Sequence, residues 1–147
     1  MLGAVLLCLV VAVGDGDSLT VRCADDASVR RVRVAAIDAP ELRQAFGRHA
    51  RQRLAAQCLR QPAQLRVRER DAFGRAVAEV RCRGADVGAA QVEAGLAWVA
   101  RGYAPPGDPL LTLEQRARQA RVGLWAQRRP TPPWTYRHRS QRQRARP

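Results

Sequence analysis

Five short apolar runs, each bounded by turn residues, alternate through the first 82 residues of this 147-residue chain. They are LVVAV (9–13, extended back to residue 7), SLTVRC (18–23), VRRVRVAAI (29–37), AQLRVRER (63–70) and RAVAEVRC (75–82). Runs of this length, rich in β-branched residues and separated by Gly, Asp and Ala, predict β-strands. With so few residues, the chain has room for one small domain and little else.

Helical spacing appears between and after these strands. One helix face is formed by Phe46, Ala50, Leu54 and Cys58, which recur every four residues. Asp86 predicts the start of a second helix that stops at Gly95, and Asp108-Pro109 predicts a third that stops at Gly123. This order of elements predicts an α+β fold, a five-stranded OB-type barrel with about three helices.

Positive charge exceeds negative charge throughout the chain. The formal net charge is +13, and all 26 cationic residues are arginine. The segment 128–147 contributes +7 without one acidic residue, and the rest of the chain contributes +6. This distribution favours a polyanionic partner such as nucleic acid. It argues less for a membrane, because the tail has no apolar face.

The composition also divides the chain. Residues 1–127 carry the strand and helix patterns and form the predicted domain, whereas residues 128–147 are rich in proline and arginine. We expect this tail to dock near Trp134 and to be disordered beyond it, because its apolar content is too low to fold alone.

The apolar run at residues 2–13 has two interpretations. It is too short to span a bilayer as a helix. It resembles the core of a signal peptide, but no basic residue precedes it and no small-residue cleavage site follows it. We therefore interpret residues 7–13 as a buried strand, and an export signal would lie upstream of this start or be merged with the strand.

The four cysteines leave the redox compartment open. Cys8 stands apart in the apolar start, and the remaining three predict either one disulfide with a free thiol or three buried thiols. These three are Cys23, Cys58 and Cys82. No CxxC pair is present, which argues against a zinc site.

Acidic residues cluster near turns in the first third of the chain. Asp17 begins the second strand and Asp38 ends the third, so their carboxylates meet at one barrel edge if these strands are neighbours. Carboxylate oxygens suit Ca²⁺ or Mg²⁺. Glu41 lies just beyond, beside the predicted site, whereas Asp15 is interpreted as a turn residue.

Two arginines complete a candidate phosphate site. Arg33 lies in the third strand, and Arg75 follows a Phe-Gly turn that places it at a loop tip. A guanidinium can bind a phosphate through two parallel hydrogen bonds. The ordinary interpretation of any single arginine among 26 is a solvated surface charge.

The strings VGDGDSLTVR, RVRVAAIDAPE and RDAFGRAVAEV resemble the thermonuclease (staphylococcal nuclease-like) family in order and spacing. The later strings GLAWVARGY, EQRARQARVGLW and PPWTYR extend the resemblance over roughly residues 7–137. It implies that Asp17, Asp38 and the carbonyl of Ala39 bind Ca²⁺.

The resemblance also implies the remaining roles. Glu41 is the expected general base for the attacking water, and Arg33 and Arg75 hold the scissile phosphate. Phe73 and Tyr103 occupy substrate-binding positions. Phe73 lacks the hydroxyl of the tyrosine in the best-known member, and an arginine replaces a second stacking tyrosine, so base stacking differs from that member.

The implied activity is calcium-dependent hydrolysis of phosphodiester bonds in DNA, RNA or both, which leaves 3′-phosphate ends. We expect a monomer that needs no membrane partner, acts on single-stranded or unpaired nucleic acid and is secreted or periplasmic. Two alternatives remain: a non-catalytic nucleic-acid-binding OB-type module, and a cationic protein whose tail contacts an acidic surface.

Overall fold

The computed structural model describes residues 4–145. The strands are β1 (Val5–Val13), β2 (Ser18–Cys23), β3 (Asp26–Val34), β4 (Ile37–Asp38), β5 (Pro62–Arg70), β6 (Ala76–Cys82), β7 (Ala85–Asp86) and β8 (Trp98–Val99). The helices are α1 (Gly47–Cys58), α2 (Val87–Glu93), α3 (Pro109–Ala120) and α4 (Pro133–Ala145), with a 3₁₀ turn at Gly123–Ala126.

Five strands close into a mixed β-barrel. They follow the order β3-β2-β1-β5-β6 with antiparallel neighbours, and a parallel pair of β3 and β6 closes the ring, with Val32 opposite Ala76. The two-residue strand β7 pairs antiparallel with β6. Strands β4 and β8 form a separate two-stranded sheet. The predicted α+β, OB-type barrel is confirmed, with four α-helices in the described residues where about three were expected.

Alternating side chains explain why these segments form a barrel. In β1, Cys8 and Val10 point into the core, whereas Leu7 and Leu9 are exposed. Helix α1 packs Ala50, Leu54 and Cys58 into the same core, as its four-residue spacing predicts. Phe46 precedes the helix and packs on a second cluster instead, which is built on Trp98, Ala117, Leu124 and Trp125.

The predicted third strand is divided in two. Strand β3 ends at Val34, and Ala36 adopts a left-handed conformation (φ 76°) that turns the chain into β4. The backbone N–H of Ala100 donates to the carbonyl of Ala36 over 2.8 Å, which ties this turn to the chain after β8. Asp38 therefore lies in β4, and not at the end of the barrel strand.

Both helix starts predicted in the second half are correct. The Oδ1 of Asp86 accepts a hydrogen bond from the N–H of Ala89 (2.8 Å), and the Oδ1 of Asp108 accepts one from Leu110 (2.9 Å). Helix α3 ends earlier than predicted, because Arg121 adopts the left-handed conformation of a helix end. Gly123 begins the 3₁₀ turn.

The cysteines form two disulfides, so both interpretations from the sequence were wrong. Cys8 pairs with Cys23, which lies directly opposite in the β1–β2 ladder, and Cys58 pairs with Cys82. No free cysteine occurs in residues 4–145. The error arose because Cys8 was set apart from the other three cysteines, although it lies in the predicted strand 7–13 and its side chain points into the core.

Both ends of the described chain form regular secondary structure. Residues 5–13 of the apolar run form β1, while residues 1–3 lie outside the described part. The sequence predicts disorder beyond Trp134, but the structure has α4 through Ala145. Pro133 at its first position, followed by good helix formers, favours this helix. Within the described residues, no helix combines the length and apolarity needed to cross a membrane.

Candidate active site

The turn before β2 places Asp17 at one edge of the barrel. The Oδ1 of Asp15 accepts hydrogen bonds from the Ser18 hydroxyl (2.7 Å) and from the N–H of Asp17 (3.2 Å). Burial opposes ionisation of Asp15, but these hydrogen bonds outweigh it and lower its pKa. Asp15 is thus a turn residue, and its ionised carboxylate fixes the position of Asp17.

Asp17 and the Asp38 loop meet, as the pairing of β2 with β3 predicts. The Oδ2 of Asp17 accepts a 2.7 Å hydrogen bond from the N–H of Ala39. Both aspartates are buried, at 5% and 6% exposure. Burial raises the pKa of Asp17 well above its usual range, and the charge of Arg33 only partly offsets this effect. Ionisation of Asp17 is therefore favoured by added positive charge beside its carboxylate.

Arg33 joins the two carboxylates. It reaches from β3, with Nη1 at 3.2 Å from Asp17 and Nη2 at 3.5 Å from Asp38. Its Nη1 also donates to the carbonyl of Val34 over 2.9 Å. The guanidinium is thus held at the carboxylates by the strand register that places Arg33 opposite Ser18.

A close approach of the backbone brings Glu41 to the same edge. The loop after β4 packs on the start of α1, and a Cβ on Gly47 would lie 2.0 Å from the carbonyl oxygen of Glu41. Only glycine permits this contact. The N–H of Glu41 donates to the side-chain oxygen of Gln44 (3.1 Å), which fixes the loop from its other side.

Arg75 lies at the loop tip that the sequence predicts. Its Nε donates to Asp71 over 2.7 Å, and its guanidinium stacks over the ring of Phe73 at 5.7 Å. Within the described residues its recorded hydrogen bonds use the backbone N–H and Nε, which leaves both Nη groups for a ligand. Asp71, which sequence reasoning missed, therefore orients Arg75.

Arg33 and Arg75 line one cleft of about 730 Å³. Phe73 and Tyr103 line it as well, and Phe73 is 73% exposed. The hydroxyl of Tyr103 accepts a hydrogen bond from Arg68, which fixes the ring at the wall of the cleft. An exposed ring, a half-buried ring and two guanidiniums suit bases and phosphates of a nucleic acid.

A buried glutamine supports the carboxylate turn, and no sequence motif signals it. Gln91 in α2 is fully buried and donates to the carbonyls of Gly16 (2.7 Å) and Ala50 (2.9 Å). Its only sequence signal is a polar residue within a helix that is otherwise apolar at that face. Gly16 has no room for a Cβ, which would lie 2.5 Å from the Ala50 side chain.

A third arginine reaches the carboxylates from α4. Arg137 donates to both oxygens of Asp38 (3.0 and 2.9 Å) and to Glu41 (2.7 Å). These hydrogen bonds, chiefly those to Asp38, raise the pKa of Arg137. Sequence reasoning missed this contact because Arg137 lies 99 residues beyond Asp38, in a segment expected to be disordered.

The donor set fits a hard divalent cation. No cluster of three or more His, Cys, Asp or Glu side chains suited to a metal occurs in residues 4–145. Asp17 and Asp38 supply two carboxylates, and backbone carbonyls and waters commonly complete such a shell. Two guanidiniums already occupy the neighbourhood of these oxygens, so the position favours positive charge.

These features define a small barrel with an acidic centre at its edge and a cationic cleft beside it. The family model described as "Staphylococcal nuclease homologue" matches residues 31–127. The chain therefore belongs to the staphylococcal nuclease family.

Several bacterial proteins are similar over most of this chain. Protein ParB of Escherichia coli is 39% identical over 145 residues, which cover 92% of this chain and 81% of that protein. Micrococcal nuclease of Shigella flexneri is 38% identical, covering 89% and 80%. An "Uncharacterized endonuclease" of Escherichia coli is 37% identical, covering 88% and 84%.

Proposed function

We propose that this protein is a calcium-dependent nuclease that hydrolyses phosphodiester bonds in DNA, RNA or both. The observation that carries the proposal is the convergence of Asp17, Asp38, Glu41 and Arg33 at one edge of the barrel, beside the cleft of Arg75. Family membership and the nuclease names of similar proteins support the same activity.

The cation would be held by the carboxylates of Asp17 and Asp38 and by the carbonyl of Ala39. When bound there, Ca²⁺ supplies positive charge for a phosphate oxygen and lowers the pKa of a water. Asp17 and Asp38 bind it best when both are ionised. The carboxylate turn of Asp15 and the Ala39 N–H keep Asp17 in place for this role.

Glu41 acts as the general base. Its carboxylate accepts the proton of a water that attacks phosphorus in line with the leaving 5′ oxygen. The new P–O bond forms as the P–O5′ bond breaks, and the 5′ oxygen takes up a proton from solvent. The products carry 3′-phosphate and 5′-hydroxyl ends.

The two cleft arginines stabilise charge that builds on the equatorial oxygens. Arg75 offers its two Nη groups while Asp71 holds Nε. Arg33 contributes from the carboxylate side. Two guanidiniums and a cation favour the dianionic transition state over the monoanionic diester, which is the differential binding that accelerates a reaction.

The substrate and location follow from the surroundings. Phe73 and Tyr103 suit unpaired bases, so we propose single-stranded or unpaired nucleic acid as the substrate. The two disulfides suit an oxidising compartment, and we propose that the protein acts outside the cytoplasm, as a monomer.

Cleavage of denatured DNA and of RNA with millimolar Ca²⁺ tests the function. We expect activity that disappears with a chelator and falls about 10²-fold or more in Glu41→Gln, Arg33→Ala and Arg75→Ala. Glu93→Gln, at an exposed glutamate at the end of α2, is the matched control and should retain activity. Salt-sensitive binding without cleavage would leave a nucleic-acid-binding module and refute the nuclease.

A further inference from the structure

A second cleft, of about 650 Å³, opens between α4 and the loop that follows Glu41. We call it the α4 groove, and its lining includes Arg43, Arg137, Gln141 and Arg144. Glu41 is the acidic residue of this lining, and the other polar groups are guanidiniums, amides and hydroxyls that can donate hydrogen bonds. Such a surface suits an extended chain of phosphates.

The α4 groove and the cleft of Arg33 lie on either side of the buried Asp38, which contacts one lining arginine of each. The Oδ1 of Asp38 lies 3.5 Å from the Nη2 of Arg33 and 3.0 Å from the Nη1 of Arg137. A strand that runs from one cleft into the other would therefore cross the carboxylates of the candidate active site. This arrangement allows one substrate strand to occupy both clefts.

Specific contacts hold α4 in place as one wall of the groove. The ring of Trp134 packs edge-on against Trp98, with centroids 5.5 Å apart. Arg101, which lines the first cleft, stacks over Trp134 at 5.7 Å. Before the helix, the side chain of Gln44 donates to the carbonyl of Thr131 over 2.5 Å.

We propose that the α4 groove binds the sugar–phosphate backbone of the substrate on the side of the scissile phosphate away from Phe73 and Tyr103. The proposal rests on the proposed nuclease function. Arg43 and Arg144 are both exposed, and neither forms an ion pair with an acidic side chain of the described residues. They are the phosphate-binding residues of the groove. Arg43 lies within residues 31–127, which match the family model, whereas Arg144 and the rest of α4 lie beyond them.

Substrate length tests the groove. We expect Arg43→Glu and Arg144→Glu to raise the KM for a single-stranded 20-mer, as DNA and as RNA, about tenfold. Cleavage of a dinucleotide, which is too short to span both clefts, should not change. Arg22→Glu, at an exposed arginine of β2, is the control with the same change in charge. Equal effects of the groove and control variants on the 20-mer would overturn the proposal.

A binding assay separates this proposal from the nuclease function. The dissociation constant of a fluorescent 20-mer is measured in chelator, where no cleavage is required. If the wild-type protein cleaves nucleic acid but the groove variants bind like Arg22→Glu, the groove proposal is refuted and the nuclease function is retained. If the wild-type protein does not cleave nucleic acid but the groove variants bind it more weakly than the control, the nuclease function is refuted and the groove is retained as a binding site for nucleic acid.

A separate observation concerns the contacts of Arg137 with Asp38 and Glu41. Arg137 holds both oxygens of Asp38 and also Glu41, through three charge-assisted hydrogen bonds of 2.7–3.0 Å. A carboxylate bound at both oxygens cannot bind a cation at full strength. Glu41, bound to a guanidinium, is likewise withheld from water.

The geometry points to Arg137 as an inhibitory residue that competes with a divalent cation for Asp38. Cation binding then releases Arg137 from Asp38 and Glu41 together. The cation and the Arg137 guanidinium compete for Asp38, so each lowers the affinity of Asp38 for the other by the same factor. The released guanidinium remains in the wall of the α4 groove, where it faces the substrate path.

Titration with Ca²⁺ and with luminescent Tb³⁺ tests this competition without any assay of activity. We expect Arg137→Ala to bind the cation about tenfold more tightly than the wild-type protein, a typical coupling between sites. Arg139→Ala removes the same charge from an exposed position of α4 and should bind like wild type. Equal affinities in the two variants, or no cation binding by either, would overturn the competition.

Discussion

Asp17 shows what burial does to a single functional side chain. Its carboxylate is 5% exposed and lies 3.2 Å from Arg33. Burial nevertheless raises its pKa well above the usual range, because lost hydration outweighs the attraction of the guanidinium. The folded protein therefore binds a proton at Asp17 more tightly than the unfolded chain does. Stability falls as the pH rises from 3.8 through the raised pKa.

We therefore predict that Asp17→Asn stabilises the protein in the absence of a cation. The amide removes the buried charge but keeps an oxygen for the N–H of Ala39, so the free energy of unfolding at pH 7 should rise by about 1 kcal/mol. Thermal denaturation in chelator at several pH values measures it, with the exposed Asp25→Asn as control. A variant that is less stable than wild type at pH 7 would contradict the prediction.

Much of the site at this scale was predictable from sequence. Asp17, Asp38 and Arg33 stand in strings whose order along β2, β3 and β4 already brings them together. Arg137 and Gln91 were not predictable, because each meets the site through packing of distant helices. Arg137 ends the string PPWTYR that resembles the family, but the resemblance gives it no role, and no local spacing links it to Asp38.

The helices and strands begin and end where the sequence predicts when their boundaries depend on local interactions. Asp86 and Asp108 start helices because their side chains cap them, and α1 buries the face that its spacing predicts. Strand β3 ends early because Ala36 turns the chain into β4. That turn depends on pairing with β8, more than 60 residues away, which no local pattern reveals.

At the scale of elements, each disulfide links two secondary-structure elements covalently. The bond from Cys58 to Cys82 joins the end of α1 to β6 and spans 24 residues, whereas that from Cys8 to Cys23 joins β1 to β2 and spans 15. All four cysteines are buried, with at most 6% exposure. Each bond restricts the unfolded chain by closing its loop.

We predict that replacing either pair with alanines lowers the free energy of unfolding by about 3 kcal/mol. Urea denaturation of the two double variants measures this loss, and the wild-type protein with and without reductant is the internal comparison. If both variants unfold at the wild-type urea concentration, the cysteines are not paired in solution.

Positive charge is distributed unevenly over the whole molecule. The affinity for nucleic acid should therefore depend on salt concentration through the number of arginines that contact phosphates. The tail alone contributes seven of the thirteen net charges. Seven arginines line the two clefts, and with Arg137 bound to Asp38 the proposed path uses four of them for phosphates, which are Arg33, Arg43, Arg75 and Arg144. A strand held by Arg33 and Arg75 alone meets two.

We predict that the logarithm of the binding constant for single-stranded DNA falls with the logarithm of salt concentration with a slope of about −2.8. Fluorescence anisotropy in chelator, from low to physiological salt, measures it. A slope of about −1.4 corresponds to two phosphate contacts and would exclude the longer path across the molecule.

Closure of the barrel positions two of the arginines in the candidate active site. Strands β3 and β6 meet only after the intervening chain has folded back, with Arg33 opposite Val77 across the seam. Contacts between residues so far apart in sequence slow the folding of a domain. Arg33 lies in this seam and Arg75 directly precedes β6, so the positions of both arginines depend on the pairing of these two strands. A chain in which β3 and β6 have not paired therefore lacks the proposed catalytic site, and any activity is acquired only with the complete tertiary fold.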